Sequence, residues 1–305
     1  MHRHLFALFV LLMDFGGAPS RPQALATCSV RFAVIGDYGA NTPAEAQVAA
    51  LVKSWKPAFI VTTGDNNYPS GAANTIDANI GQHYSEYIYP YTGTYTQLAQ
   101  TANRFFPVPG NHDWLAANAQ PYLDYFTLPG NERYYTFTAS GLIDFFMLDS
   151  DFNEPSGVYS NTAQAAWLQA GLTASDAPWK LVFMHHPPYS SGAHGNNPHS
   201  QWPFEAWGAS AVVGGHDHIY ERIVQGGFPY FVNGAGGHSL YGFGALAAGS
   251  AVRYNADYGA MLVTASSRHL TFQFINRQAQ LIDAYTLTRA DASNCRYVYL
   301  ASVRR

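Results

Sequence analysis

The chain has 305 residues, a length that suits one large domain or two ordinary ones, and we expect one. Hydrophobic residues make up 48% of the chain and charged residues only 12%, which excludes a disordered, coiled-coil or highly charged protein. The net charge is −4 and the 16 Lys and Arg residues are scattered, so we expect no nucleic acid partner.

The first residues have the pattern of a secretion signal. Arg3 precedes the apolar run 5–13, and Ala24-Leu25-Ala26 supplies the small-x-small pattern that signal peptidase accepts. The apolar run is shorter than the roughly 20 residues of a membrane span, and no later run is long enough. We therefore expect a signal peptide at 1–26, a domain at 27–305, and a secreted or periplasmic protein without a membrane span.

Two cysteines, Cys28 and Cys295, lie near the ends of the expected domain. In an oxidising compartment they would form one disulfide that joins the termini, and we favour this interpretation. Residues 25–28 also resemble a bacterial lipobox, although Thr27 stands where Gly, Ala or Ser is usual. Lipidation of Cys28 is therefore the alternative.

Short apolar runs alternate with helical patterns along the chain, which predicts an α/β fold with strands joined by helical crossovers. A helix is predicted to start at Thr42-Pro43-Ala44-Glu45, which combines an N-cap, a proline at the first helical position and a Glu three residues after the cap. The predicted strands are 30–35, 58–63, 104–108, 143–148, 180–184, 209–213 and 229–232, with a further helix around 162–172.

Two segments depart from this alternation. Residues 69–103 form a Tyr-, Gly- and Thr-rich insertion, which we interpret as a lid or rim loop whose tyrosines serve mainly in packing. Beyond Gly259 the apolar residues Leu270, Phe272 and Phe274 alternate with polar ones, which predicts antiparallel, half-exposed strands.

Five of the predicted strands run directly into turns that carry metal-binding types of side chain. The turns are Gly36-Asp37-Tyr38-Gly39, Gly64-Asp65-Asn66-Asn67-Tyr68, Gly110-Asn111-His112-Asp113, Met184-His185-His186-Pro187 and Gly214-Gly215-His216-Asp217-His218. A single turn of this kind usually does no more than hydrogen-bond its own backbone. In an open sheet with helical crossovers, however, ligands bind at the carboxyl ends of the strands, so five such turns predict one shared site.

The residue types in these turns indicate the kind of metal. Oxygen and imidazole donors without thiolate are typical of a site for two iron, manganese or zinc ions. They are less typical of a structural zinc site. Two metals about 3.5–4 Å apart need a carboxylate that bridges them. His216 and His218 are separated by one residue, so only a turn lets both face the same crevice.

The series of motifs resembles the calcineurin-like metallophosphoesterases, in which GD-x-G, GD, GNH, H and GH-x-H follow in this order, here over residues 30–222. Two details are similar to the short, single-domain purple acid phosphatases. Gly39 stands where most relatives carry a metal-binding histidine, and Tyr68 in Gly-Asp-Asn-x-Tyr matches a phenolate ligand of ferric iron. The resemblance implies a four-layer α/β/β/α sandwich of two mixed sheets flanked by helices.

The resemblance also implies roles for individual residues. The first metal, Fe(III), would be held by Asp37, Asp65, Tyr68 and His218, and the second, a divalent Fe, Zn or Mn ion, by Asp65, Asn111, His185 and His216. Asp65 would bridge the two. His112 matches a histidine that contacts the phosphate and protonates the leaving group, and His194, nine residues after His185, matches a second such acid.

The implied reaction is hydrolysis of a phosphate monoester by a hydroxide that two cations activate, with a histidine as general acid. A phosphodiesterase or nucleotide pyrophosphatase of the same superfamily is the alternative. A non-enzymatic metal- or phosphate-binding module is less favoured, because His112 is present. The oligomeric state is left open.

The remaining polar residues receive ordinary interpretations. His186 is adjacent to His185 and is expected to point away from the site as a supporting or packing residue. His199 is expected to be a loop histidine, whereas His238, which follows a strand, could reach the rim. Asp149 and Asp151 are expected to bind the backbone of their own turn.

Overall fold

The computed structural model describes residues 29–95 and 100–290. The predicted signal peptide, Cys28 and Cys295 lie outside these residues. The strands are β1 (Ser29–Ile35), β2 (Ile60–Thr62), β3 (Phe105–Phe106), β4 (Tyr135–Ala139), β5 (Ile143–Met147), β6 (Trp179–Phe183), β7 (Ala211–Gly214), β8 (Tyr220–Gln225), β9 (Phe228–Asn233), β10 (Ser250–Tyr254), β11 (Gly259–Ser266), β12 (His269–Asn276) and β13 (Leu281–Thr288). The α-helices are α1 (Pro43–Ser54), α2 (Ala73–Ile76), α3 (Gln82–Tyr84), α4 (Asn111–Trp114), α5 (Gln120–Tyr125) and α6 (Ala163–Ala174).

The strands form two mixed sheets. The first has the order β13-β12-β11-β1-β2-β3, and the second has the order β10-β8-β9-β7-β6-β5-β4. β1, β2 and β3 are mutually parallel, and so are β5, β6, β7 and β9. β11, β12 and β13 pair in antiparallel fashion, as the alternation around 270–274 predicts.

Aromatic side chains fill the space between the two sheets. Phe32 of β1 meets Phe145 of β5 edge to face, with ring centroids 5.1 Å apart, and Phe231 of β9 meets Phe272 of β12 at 4.6 Å. All four rings are buried, and each contributes about 1.5–3 kcal/mol through burial. Leu168 of α6 packs on the outer side of the second sheet, and α1 lies against β11 of the first. This arrangement is the four-layer sandwich that the resemblance implies.

The predicted start of α1 is confirmed. Thr42 Oγ1 accepts a hydrogen bond from the Glu45 N–H at 3.1 Å, and Pro43 occupies the first turn. The Glu45 carboxylate accepts hydrogen bonds from the N–H groups of Ala40 and Asn41 at 3.1 and 2.6 Å. These bonds fix the turn that follows β1, where the first of the five polar motifs lies.

The residue pattern alone suggested that the five polar turns belong to one open sheet, but they belong to two sheets. The first three follow strands of the first sheet, and the last two follow β6 and β7 of the second. The local pattern could not separate these cases, because β2 and β6 are both buried runs that read alike in the sequence. β4, β8 and β10 were not predicted.

The insertion 69–103 packs against the core over its described part. Tyr84 and Tyr87 are buried, as the packing interpretation predicts. The Asp77 carboxylate accepts hydrogen bonds from the hydroxyls of Tyr91 and Tyr125 at 2.7 and 2.9 Å, which fastens the insertion to α5. Across residues 29–95 and 100–290, no helix has the length and apolar character needed to cross a membrane.

Candidate metal centre and active site

The five turns meet at the carboxyl ends of their strands, between the two sheets. Asp37, Asp65 and His216 have left-handed backbones, with φ of 53°, 50° and 69°. Such conformations cost on the order of 1–3 kcal/mol each and persist only where the surroundings hold them. A Cβ at Gly110 would collide with Asp65, and one at Gly215 would collide with Asp37, so both glycines are needed for this close approach.

Three side chains and one oxygen of Asp65 form what we call the first donor set: Asp37, Tyr68 and His218 with Asp65 Oδ2. The Tyr68 hydroxyl lies 2.8 Å from Asp65 Oδ2, 3.1 Å from His218 Nε2 and 3.3 Å from Asp37 Oδ1. Asp37 is held in turn by the His216 N–H, which donates to its Oδ2 at 2.9 Å. The set is buried and carries two carboxylates and a phenol.

The other oxygen of Asp65 belongs to the second donor set, which also contains Asn111, His185 and His216. Asn111 Oδ1 lies 2.9 Å from His185 Nε2 and 3.1 Å from His216 Nδ1. Asp65 Oδ1 lies 3.4 Å from His185 Nε2. One carboxylate thus presents a different oxygen to each set, which is the arrangement that a bridging ligand requires.

The residues fit a pair of cations. The Thr63 carbonyl oxygen lies 2.8 Å from His185 Nδ1, so Nδ1 carries a proton, and in the neutral ring Nε2 presents its lone pair to Asn111 Oδ1. The Ser239 carbonyl fixes His218 in the same way. In the neutral form of His185, Nε2 and Asn111 Oδ1 are two acceptors 2.9 Å apart, and a metal ion bound to both relieves their repulsion, as a proton on Nε2 also would. Two groups of three side chains each have candidate ligand atoms within 4.8 Å of one another. One group is Asp37, Asp65 and His185, and the other is His185, His186 and His216.

Burial perturbs the acid–base properties of the same residues. It raises the pKa of the Asp37 carboxyl and, together with the Asp65 charge, raises the pKa of the Tyr68 phenol well above its usual value. Burial opposes the charged form of His185, but the carboxylates of Asp65 and Asp37 outweigh it and raise its pKa. Burial and the neighbouring His185 lower the pKa of His216. Opposed shifts within one cluster are typical of functional sites.

His112 begins the next layer of the site. Its backbone N–H donates to Asp65 Oδ1 at 2.9 Å, so the residue is positioned by the shared carboxylate itself. Its Nδ1 contacts the Pro69 carbonyl, and its Nε2 lies 3.9 Å from Asp65 Oδ2. The side chain is 33% exposed, so a substrate in the crevice can reach it.

His194 lies on the far side of the second donor set. Its backbone N–H donates to Asp217 Oδ1 at 2.8 Å, and its exposed ring stacks on His216 with centroids 4.2 Å apart. The structure therefore brings both predicted acids to the site: His112 lies beside Tyr68, and His194 lies beside His216.

Some neighbours of the site differ from expectation. His186 does not point away, because its ring lies 4.4 Å from that of His216, although its Nδ1 is occupied by Ser150 Oγ at 3.0 Å. His238 reaches the site, stacked on Tyr68 at 4.0 Å, and its only signal in the sequence was its place after a strand. Tyr241 stacks on His218 at 3.9 Å and was missed, because no motif includes it.

Residues 30–220 match the family model described as calcineurin-like phosphoesterase. The chain belongs to this family. The family consists of phosphoesterases, so the chain is a hydrolase, as the resemblance implied. Among curated proteins, purple acid phosphatase 4 of Arabidopsis thaliana is 26% identical over 279 residues, which cover 78% of this chain and 80% of that protein. Tartrate-resistant acid phosphatase type 5 of Oryctolagus cuniculus is 23% identical over 247 residues, which cover 69% of this chain and 74% of that protein.

Two solved structures share the fold. Purple acid phosphatase PPD1 from yellow lupin (Lupinus luteus) seeds superimposes with a TM-score of 0.68 at 16% identity, covering 90% of this chain and 58% of that one. GAP50 of Plasmodium, described as the anchor in the inner membrane complex, gives 0.66 at 21% identity, with coverages of 87% and 90%. At these identities both structures support the fold alone.

Proposed function

We propose that this chain is a phosphatase that uses two metal ions to hydrolyse phosphate monoesters. The observation that carries the proposal is Asp65, whose two oxygens face two separate sets of donor atoms. The relatives named purple acid phosphatase and tartrate-resistant acid phosphatase support the same reaction class. A histidine lies beside each set, His112 partly exposed and His194 exposed, and these would be the proton donors that such a reaction needs.

The two donor sets suit different ions. Asp37, Tyr68 and the Asp65 carboxylate are hard, anionic oxygen donors, which favour Fe(III) in the first set. Asn111, His185 and His216 are neutral, which favours a divalent Fe, Zn or Mn ion in the second. Once bound, the cations would polarise the phosphoryl oxygens and lower the pKa of a nearby water molecule.

The protein's own groups supply the proton for the leaving oxygen. The Pro69 carbonyl holds His112 Nδ1–H, which leaves Nε2–H of the imidazolium to donate to the departing alkoxide. The bond from the His112 backbone to Asp65 keeps this ring at a fixed place relative to the shared carboxylate. His194, whose ring rests on His216, is the second candidate donor.

The proposal is tested on purified full-length protein by elemental analysis and by the rates with p-nitrophenyl phosphate and bis(p-nitrophenyl) phosphate. We expect two metal ions per chain, one of them iron, and a clear preference for the monoester. His269→Ala, a change at the exposed first residue of β12, is the matched control and should alter neither result. Faster hydrolysis of the diester would favour the phosphodiesterase alternative. Two bound metals without hydrolysis of either ester would favour a binding module.

We also propose export, with residues 1–26 removed and 27–305 forming the mature enzyme. The basic start, the short apolar run and Ala24-Leu25-Ala26 support it. N-terminal sequencing of protein from its native compartment should find Thr27 first. Non-reducing peptide mapping should find Cys28 joined to Cys295. A diacylglyceryl group on Cys28 would contradict the disulfide and support lipidation.

A further inference from the structure

Two exposed aromatic side chains lie beside the candidate active site. Phe152 is 63% exposed and Tyr159 is 55% exposed, and both belong to the segment that joins β5 to α6. Both lie close to the His199 ring, with centroids 4.3 and 6.4 Å from it. Covering large apolar rings that are exposed to water lowers the free energy. Such rings beside a reaction site therefore indicate a surface that binds a ligand.

A continuous run of rings connects this surface to the second donor set. His186 lies 4.4 Å from His216, and the centroid of Phe152 lies 6.5 Å from that of His186. His199 also contacts this run, with its centroid 5.5 Å from that of His186. Phe152 is therefore separated from the second donor set by one ring, and a bound ligand could reach both at once.

The turn that carries Phe152 is held firmly. Asp151 Oδ1 accepts hydrogen bonds from the backbone N–H and the side-chain amide of Asn153 at 2.9 and 2.8 Å. Asp149 accepts a hydrogen bond from Trp114 Nε1 at 2.9 Å, and Trp114 belongs to α4, the same turn of helix as Asn111 and His112. The position of Phe152 is thus fixed relative to the site, so little conformational entropy is lost when a ligand binds.

We propose that Phe152, with Tyr159 nearby, binds a flat aromatic ring in the alcohol part of the substrate, and that the preferred substrate class is the nucleoside monophosphates. This inference rests on the proposed phosphatase function. A base stacks on an aromatic side chain whatever its hydrogen-bonding pattern, and such a contact changes affinity by about 5- to 150-fold. The base of a nucleoside monophosphate is separated from the phosphate by a sugar, and Phe152 is separated from the second donor set by one ring.

The test compares adenosine 5′-monophosphate with ribose 5-phosphate. Both are primary alkyl phosphates with similar leaving groups, so the ratio of their kcat/KM values reports the base alone. We expect wild-type enzyme to prefer the nucleotide by about ten-fold or more, mainly through KM, and Phe152→Ala to remove most of that preference while sparing ribose 5-phosphate. Phe152→Trp should retain it.

Phe243→Ala is the matched control, because Phe243 is also exposed but lies against the Arg253 guanidinium, 4.7 Å away. It should leave the ratio unchanged. A preference for phenyl phosphate over adenosine 5′-monophosphate that depends on Phe152 would show that Phe152 binds an aromatic ring attached directly to the ester oxygen. That result would overturn the nucleotide assignment. Equal losses of kcat/KM on both substrates in Phe152→Ala, or no wild-type preference, would overturn the proposed stacking of the base on Phe152. The proposed phosphatase function would stand.

Absence of hydrolysis of every monoester would instead contradict the proposed function. Calorimetric titration of the metal-loaded protein with adenosine 5′-monophosphate then tests the stacking of the base on Phe152 independently of hydrolysis. Weaker binding by about ten-fold in Phe152→Ala than in Phe243→Ala would support it, and equal binding would overturn it.

Discussion

The two donor sets share one carboxylate but differ in burial and charge. In the first, Asp37 and His218 are 0% and 2% exposed, and the set is anionic. In the second, Asn111 and His216 are partly exposed, and only the shared Asp65 carries a negative charge. A closed anionic set releases a trivalent ion slowly, whereas an open neutral set exchanges a divalent ion readily.

The surroundings of the two sets extend this contrast. Flat rings cover the first set, with His238 on Tyr68 and Tyr241 on His218. The second set is bordered by His194, whose ring is exposed. From this comparison we expect the first set to release its ion more slowly than the second.

The largest effect is expected from Asp65→Ala, because that change removes a donor from both sets. Loss of both cations removes several kcal/mol of transition-state stabilisation, so activity should fall by on the order of 10³-fold or more. Elemental analysis should find fewer than one metal ion per chain. Asp124→Ala, which removes an exposed hydrogen-bond partner of Gln120, is the control. Retention of two metals in Asp65→Ala would contradict the bridging arrangement.

Single-set variants should separate the two ions. Asn111→Ala should lose the divalent ion and most activity while the iron and its colour remain. Tyr68→Phe should bleach the visible phenolate-to-iron absorption while the divalent ion remains. Mild chelation of wild-type protein should reproduce the first result, because the second set is the more open. Simultaneous loss of both ions in each case would contradict the difference between the sets.

His112→Ala tests proton donation beside the first set. It should slow an alkyl phosphate by about 10²-fold or more and p-nitrophenyl phosphate much less, because nitrophenolate leaves without a proton. Metal content should not change, since the His112 side chain is not among the donors. His194→Ala is the matching variant beside the second set. Equal losses on both esters in His112→Ala would show that His112 acts through phosphate binding alone.

The smallest effect is expected from His238→Ala. Its ring stacks on Tyr68 with an interplanar angle of 14°, so its removal should shift the visible absorption band and change activity by no more than about ten-fold. Spectra of the iron-loaded protein measure the shift. An unchanged spectrum together with a large loss of activity would assign His238 to substrate contact instead of support for Tyr68.

The sequence determined much of this protein locally. The cap at Thr42 and the alternation around Leu270, Phe272 and Phe274 follow from short-range preferences, and the structure retains both. The five turns could be found because each strand ends in a Gly- or His-containing segment with polar ligands, which is a feature of neighbouring residues.

Only the tertiary structure decided how these turns meet. Three come from one sheet and two from the other, so His185 reaches Asp65 across the interface between the sheets rather than along one edge. Contacts between residues far apart in the chain place the two Asp65 oxygens between the donor sets. Such contacts also stack Tyr241 on His218 and position Phe152 beside His186. Such contacts follow from the packing of two aromatic sheet faces, and no local pattern of residues encodes them.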